Sequence, residues 1–247
     1  MRQDELRRAV GAIHVRFGDR ALVQADRLPP ARPWTTGQPV VDRLSGIGGL
    51  PCGRISVLQG APGSGKLSLA LALLARATHE FAHAVALDPG RGLDPWTLDV
   101  LGADLTALTV VRPPTPAAAG EAAVTLARAG AGLLLVLAGL PDPALAPLES
   151  AAARSGCLVM AVSDMAETQR ALAHASSLTL RLEPGRWLWE RGQPVGVRTQ
   201  VRCTKNKLAA PGAEAELEVR YALGPRQLPR EPVREHPVSG ARQGAVA

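Results

Sequence analysis

Arg54-Ile55-Ser56-Val57-Leu58-Gln59 is an apolar run that leads straight into Gly60-Ala61-Pro62-Gly63-Ser64-Gly65-Lys66, after which Leu67-Ser68 opens a segment with helical spacing. A short apolar run bounded by glycine predicts a buried strand, and the segment over 66–78 predicts a helix. Glycines between them let backbone N–H groups converge on phosphate oxygens. The helix start adds partial positive charge, and Lys66 supplies a compact ammonium. Gly60, Ala61, Pro62, Gly63, Ser64, Gly65, Lys66, Leu67 and Ser68 are therefore candidate contacts for the phosphates of ATP or ADP. The bland alternative is an ordinary glycine-rich turn between strand and helix. Leu67 departs from the usual pattern, which has a serine or threonine whose hydroxyl holds Mg²⁺. A metal here would be held mostly by water, so the place of Mg²⁺ stays open.

The lysine itself is informative. Only three lysines, Lys66, Lys205 and Lys207, occur among 28 basic residues. An ammonium is a point charge suited to a curled loop, whereas arginine favours planar two-pronged pairing.

Outward from the loop, short apolar runs alternate with helical ones. Ala84–Leu87, Leu108–Val111, Leu133–Leu137 and Leu158–Val162 are predicted strands, and helices are predicted over 66–78, 95–101, 118–129, 145–154 and 166–174. This alternation implies an α/β fold, a mostly parallel central sheet with helices on both faces. After residue 176 the pattern changes to successive antiparallel strands at Leu178–Leu182, Trp187–Glu190, Val197–Cys203 and Ala215–Tyr221, with turns at Gly185 and Gly192. Upstream, Leu6, Val10, Ile13 and Phe17 predict a helix from 3 to about 17. Gly18-Asp19 ends it, and a short extended piece from Ala21 to Gln24 follows. The expected organisation is an arm and Pro-rich linker over 1–34, a core domain over 35–222, and a basic Pro/Arg-rich tail over 223–247 that is disordered.

Apolar residues make up 46% of the 247, but aromatic ones only 3%. Ala, Leu and Val must fill the interior. A formal charge of +6 suits nucleic acid or another acidic partner; an arginine-biased composition explains it equally. Cys52, Cys157 and Cys203 are widely spaced and form no CxxC pair, so reduced thiols are expected rather than a disulfide or zinc framework. His79 and His83 lie across a predicted helix–strand break, and no metal pair is expected. The longest apolar run, Leu133 to Leu140, is far short of the roughly 20 residues that cross a bilayer. A cytoplasmic protein without membrane contact is expected.

Further motifs converge on a family. Arg16-Phe17-Gly18-Asp19, Thr36-Gly37-Gln38-Pro39-Val40-Val41-Asp42 and Gly48-Gly49-Leu50-Pro51-Cys52-Gly53-Arg54-Ile55 lead into the loop, and Leu93-Asp94-Pro95 follows it. The most specific run is Thr204-Lys205-Asn206-Lys207-Leu208-Ala209-Ala210-Pro211, followed by Ala215-Glu216-Leu217. Together these resemble the bacterial RecA recombinase family over residues 5 to about 221. The resemblance implies a RecA-like P-loop NTPase core with an antiparallel carboxy-terminal extension, and an arm that docks on an adjacent subunit. It puts Asp94 in an adenine-side turn, and it has Lys205 and Lys207 reach a nucleotide on the neighbouring protomer of a filament. A solvated basic turn is the alternative for the two lysines. Trp96, beside the adenine-side turn, either stacks on a base or packs the first turn of its helix.

The departures from the family pattern cluster at its chemistry. Gly90 stands where the family has its catalytic glutamate, two residues after Asp88. Ala138-Gly139 ends the strand that should carry a Mg²⁺-anchoring aspartate. Ser163-Asp164 replaces an asparagine–glutamine pair that senses the terminal phosphate. Loss of a positioned base costs about 10²–10⁴ in rate, and phosphoryl transfer depends almost wholly on positioning and charge stabilisation. No residue is therefore assigned a catalytic or metal-binding role. Ser68, Asp88 and Asp164 are the conceivable substitutes, although Ser68 points about 100° round the helix from the proper position.

The family's two DNA-binding loops are short here. Pro141 to Gly156 leaves room for a turn and one helix, and Met165 to Ala175 passes directly from strand to helix. Residues 181–207 carry seven cations against two carboxylates, with Trp187 and Trp189 two apart. They form either a single-strand platform or an apolar patch beneath solvated arginines. The chain thus resembles a degenerate paralogue, comparable to RecA/SulA-type accessory proteins such as ImuA that accompany translesion polymerases. That resemblance implies an accessory role in DNA repair, recombination or the SOS response to DNA damage, with ATP or ADP bound and little or no hydrolysis. Its implied partners are itself, a RecA-type filament protomer or a translesion polymerase, with weaker contact to single-stranded DNA. Two alternatives stay open: an active DNA-dependent ATPase with rearranged ligands, and a scaffold that binds no nucleotide.

Overall fold

The computed structural model describes residues 2–17, 32–137, 139–164, 170–221 and 234–237. For residues 2, 3, 6, 9, 13, 14, 17 and 234–237 it describes the backbone alone. The helix stop at Gly18-Asp19, the extended piece from Ala21 to Gln24, Ala138, residues 165–169 and most of the 223–247 tail lie outside the described residues. The chain divides into two compact units, Met1–Ala31 and Arg32–Ala247. In the first, α1 (Arg2–Phe17) carries Asp4 and Glu5 in its opening turn, where carboxylates complement the helix dipole.

In the second unit the elements run β1 (Pro33–Trp34), α2 (Pro39–Leu44), β2 (Leu50–Pro51), β3 (Ile55–Gly60), α3 (Lys66–Glu80), β4 (Ala84–Leu87) and α4 (Pro95–Val100). A short 3-10 turn at Leu105–Ala107 precedes β5 (Leu108–Val111), α5 (Pro116–Arg128), β6 (Leu133–Val136), α6 (Asp142–Ser155), β7 (Leu158–Ser163) and α7 (Arg170–Ala175). The chain then turns to β8 (Leu178–Glu190), β9 (Gln193–Asn206), β10 (Glu214–Arg220) and β11 (Arg234–Pro237). Nine of these strands form one sheet in the order β10-β9-β8-β3-β7-β6-β4-β5, with β11 also on β8. The run from β8 to β5 is parallel, while β9, β10 and β11 pair antiparallel.

Period-two alternation along the parallel strands sorts their side chains to two cores. Leu58, Ala86, Leu133, Leu135, Leu158 and Met160 face one core with Leu69, Leu73 and Leu74 of α3. Val57, Val85, Leu87, Leu134, Val136 and Val159 face the other with Ala119 and Ala123 of α5 and Leu145 and Leu148 of α6. Each fully buried Leu or Val contributes roughly 1.5–3 kcal/mol. Small alanines on α5 and α6 bring those helices close to the strands. The mostly parallel sheet, the helices on both faces and the antiparallel extension expected from sequence are all present.

Two expectations are corrected. Gly185 is not a turn: β8 continues through it, with a register shift between Glu183 and Arg186. A Cβ at Gly185 would run into the carbonyl oxygen of Arg198 on β9, so glycine is needed for close backbone approach at a bulge rather than for a reversal. The reversal falls only at Arg191-Gly192, with φ of 50° and 77°, as a two-residue hairpin turn requires. The second concerns the tail, within which residues 234–237 form the strand β11. Strand β3 covers β8 only from Leu178 to Leu182, which leaves the same edge open further along. There Arg234–Pro237 pairs with Arg186–Trp189, a pairing with an open edge that composition does not predict.

Candidate functional site

The parallel strands β3, β4, β6 and β7 all point their carboxyl ends at one place, the position where open α/β sheets hold ligands. A cavity of about 560 Å³ lies there, lined by Pro62, Gly63, Gly65, Lys66, Leu67 and Ser68 from the loop after β3. Asp88, Gly90, Gly92 and Leu93 follow β4, Leu137 and Gly139 follow β6, and Asp164 ends β7. The volume is within the roughly 300–1,000 Å³ usual for small-molecule sites.

The loop has the shape its glycines predict. Ser64 N–H donates to the Ala61 carbonyl at 3.1 Å, and Gly65 enters α3 at φ 83° with no side chain capping the helix start. A Cβ at Gly65 would lie 2.9 Å from Val197 Cγ1 of β9. One at Gly60 would lie 2.6 Å from the Leu182 carbonyl oxygen of β8. The antiparallel strands therefore pack directly behind the loop, and only glycine fits between. Uncapped N–H groups at the start of a 15-residue helix suit an anion. Ser64 Oγ, by contrast, is buried without a hydrogen-bond partner and does not line the cavity.

Lys66 opens α3 with its side chain only 11% exposed, and its Nζ is 2.5 Å from Asp164 Oδ1. The aspartate at the end of β7 thus holds the ammonium of the phosphate loop. Asp88 is buried and serves the backbone: it accepts from Gly92 N–H at 2.9 Å and Leu93 N–H at 3.1 Å. Arg112 Nε lies 3.7 Å from Oδ2, the oxygen that accepts from Leu93. Leu67 is exposed at the cavity wall, with no hydroxyl to offer a metal. Among the described residues, no three His, Cys, Asp or Glu side chains gather as a metal site. Gly90 faces open space. Ala138 lies outside the described residues.

The remaining candidates stand apart from this cavity's lining. Asp94 caps α4, accepting from Trp96 N–H at 3.2 Å and Thr97 N–H at 3.1 Å. The hydrogen bond from the Thr97 hydroxyl, reinforced by these backbone bonds, holds its carboxyl below the usual range. Trp96 is 57% exposed and does not line the cavity. Lys205 Nζ donates to the carbonyls of Ala173 and, at 3.0 Å, His174. Lys207 Nζ donates to His174 at 2.8 Å. Both cap the carboxyl end of α7, where cations complement the helix dipole. Burial, and then the charge of Lys207, lowers the pKa of Lys205 against an opposing effect of Glu149. Between them, Asn206 Nδ2 donates to the Ser45 carbonyl at 2.8 Å while its Oδ1 accepts from Leu208 and Ala209. Ser45 Oγ in turn accepts from Gly49 N–H at 3.0 Å. The specific basic run thus anchors the segment that feeds β3.

Sequence reasoning missed Tyr221, which lines the cavity with its pKa raised by burial. Its ring lies 6.0 Å from that of Trp187. The signal was its place just after β10, whose Val219 packs against Gly65.

Comparisons with known proteins agree with this geometry. Residues 4–153 match the family described as the RecA N-terminal domain. The protein RecA of Symbiobacterium thermophilum is 30% identical over 226 residues, covering 76% of this chain and 65% of its own length. RecA of Acidothermus cellulolyticus is 30% identical over 247 residues, with 85% and 70% covered. RecA of Brucella canis is 30% identical over 256 residues, with 87% and 71% covered. The chain therefore spans only 65% to 71% of the length of these relatives. The crystal structure of the RadB recombinase superposes at a TM-score of 0.57 with 16% identity, covering 74% of this chain and 94% of that one. That is a likeness of fold.

Proposed function

This chain belongs to the RecA family, and we propose that it is a nucleotide-binding accessory protein of DNA repair and recombination that hydrolyses its nucleotide little or not at all. One observation carries the proposal. The main-chain half of the site, a glycine loop with an uncapped helix start and Lys66, opens on a cavity whose two carboxylates among the described residues both have other partners. Asp88 holds the backbone of Gly92 and Leu93, and Asp164 holds Lys66. Asp88 has both oxygens engaged and Asp164 has one oxygen on Lys66, while Leu67 and Gly90 supply no replacement.

The loop amides and Lys66 would bind phosphates; Mg²⁺, where present, would bring the charge neutralisation that this chain's side chains do not arrange. The candidate DNA platform is weakened by its own pairing. Arg198 meets Glu218 at 2.6 Å, Arg202 meets Glu214 at 2.7 Å and Arg181 meets Glu183 at 3.4 Å. Trp187 packs on Tyr221. These contacts favour association with protein, either a second copy or a filament protomer, and leave single-stranded DNA a secondary partner. Lys205 and Lys207 do not line their own cavity, which supports a role for them at a nucleotide on a neighbouring protomer. Translesion polymerase and the SOS response remain the finer form of the proposal.

The test is a melting assay with ADP and ATP, each with and without Mg²⁺, beside phosphate release in the presence of single-stranded DNA. A ligand at 100 times its Kd stabilises by about 2.7 kcal/mol, a shift of roughly 5–10 °C for a chain of this size. Lys66→Ala should abolish that shift. Brisk release that Lys66→Ala eliminates would favour the active-ATPase reading instead. The scaffold reading draws on the Lys66–Asp164 pair, which closes the loop's charge without any ligand. No melting shift under any condition would select it.

A further inference from the structure

We propose that Asp164 makes this cavity selective for a nucleoside diphosphate over the triphosphate, a reading that rests on the nucleotide site proposed above. In a phosphate loop the backbone amides cradle the inner two phosphates, whereas the lysine and the metal serve the outer ones. The two sets of contacts differ sharply here. The amides at the start of α3 have no side-chain cap, and nothing in the pairing of Lys66 disturbs them. The lysine is a different matter: Asp164 Oδ1 sits 2.5 Å from Nζ, about where an outer phosphate oxygen would accept. Its half-exposed carboxylate lines the same cavity as the loop, so it reaches ligand and water alike.

A third phosphate entering this site meets three obstacles together. It must displace a carboxylate from the ammonium, it lies within a few ångströms of that carboxylate's negative charge, and Leu67 offers it no metal-holding hydroxyl. A diphosphate escapes most of this, since its principal partners are backbone N–H groups. Asp88, the other carboxylate at the cavity, does not change the balance, because its two oxygens are turned to Gly92, Leu93 and Arg112. Like charges at such separations, partly screened by water, correspond to a preference of about tenfold or more.

Titration calorimetry on the full chain with ADP and with ATP, each with and without Mg²⁺, tests this in the wild type, Asp164→Asn and Lys66→Ala. ADP should bind the wild type about tenfold more tightly than ATP. Asp164→Asn, which keeps the shape and removes the charge, should tighten ATP by at least the same factor and bring the two ligands within about threefold. Lys66→Ala should weaken both. Equal wild-type affinities, or a ratio that Asp164→Asn leaves unchanged, would overturn the selectivity while the nucleotide-binding reading stands. Weaker ATP binding by Asp164→Asn only when Mg²⁺ is present would overturn it too, by making Asp164 a metal ligand. Failure of the wild type to bind either nucleotide would overturn both readings together.

Discussion

Between Gly60 and Lys66 the molecule works through main-chain groups, whereas across the same cavity the ends of β4, β6 and β7 would have to work through side chains. The loop keeps its form because the packing around it allows nothing else: strands β8 and β9 press on Gly60 and Gly65 from behind. The facing rim has no such constraint, and Gly90 and Gly139 look into open space. Anion binding rests on backbone geometry enforced by the core, while hydrolysis rests on a few side chains that the core does not need. The first can persist where the second is lost.

The largest test of that contrast is Gly60→Val. Its side chain would collide with Ser64 and the Leu182 carbonyl, and overpacking against backbone should destabilise the chain by about 3 kcal/mol. Calorimetric melting should show a loss of roughly 6–12 °C. A mild effect would mean that the loop is not held from behind. Next in size is Asp88→Ala on the rim. If Asp88 serves only the backbone, its loss leaves the Gly92 and Leu93 amides without their acceptor at a cost of about 2 kcal/mol. Urea unfolding should give the same decrement with and without Mg²⁺; a decrement seen only with Mg²⁺ would make the rim a metal site. The smallest effect is expected from Gly90→Glu. Nothing lies within 4 Å of a Cβ there, so stability should change by less than about 0.5 kcal/mol. Phosphate release should stay at background, because Leu67 still offers no metal-holding hydroxyl. Turnover from Gly90→Glu alone would show that the rim lacks only its base.

The sequence carried the loop, the parallel strands and their helices because those signals are local: glycine spacing, an apolar run and helical periodicity each sit within a few residues. What escaped depends on partners distant in the chain. Gly185 has the composition of a turn, but Arg198 on the next strand makes it a bulge. Arg234–Pro237 has no intrinsic strand signal and pairs with an open edge of β8. Asp164 could be recognised as a changed residue, yet only the fold reveals that it reaches Lys66. Lys205 and Lys207 read as contacts to a neighbouring protomer's nucleotide or as a solvated basic turn, while α7 supplies carbonyls that no pattern announces. Asp94 and Trp96 were grouped with the loop by motif, and the structure makes one a helix cap and leaves the other in solvent.

Asn206 joins Ser45 across 161 residues, and that span has a temporal consequence. At a synthesis rate of about 5–20 residues per second, roughly 8–30 s separate the appearance of the two partners. Until then the Ser45 carbonyl is satisfied by water, and the corner ahead of β3 lacks its clasp. A growing chain on the ribosome therefore displays its glycine loop long before this brace arrives, so the corner ahead of β3 is clasped only once β9 has been made.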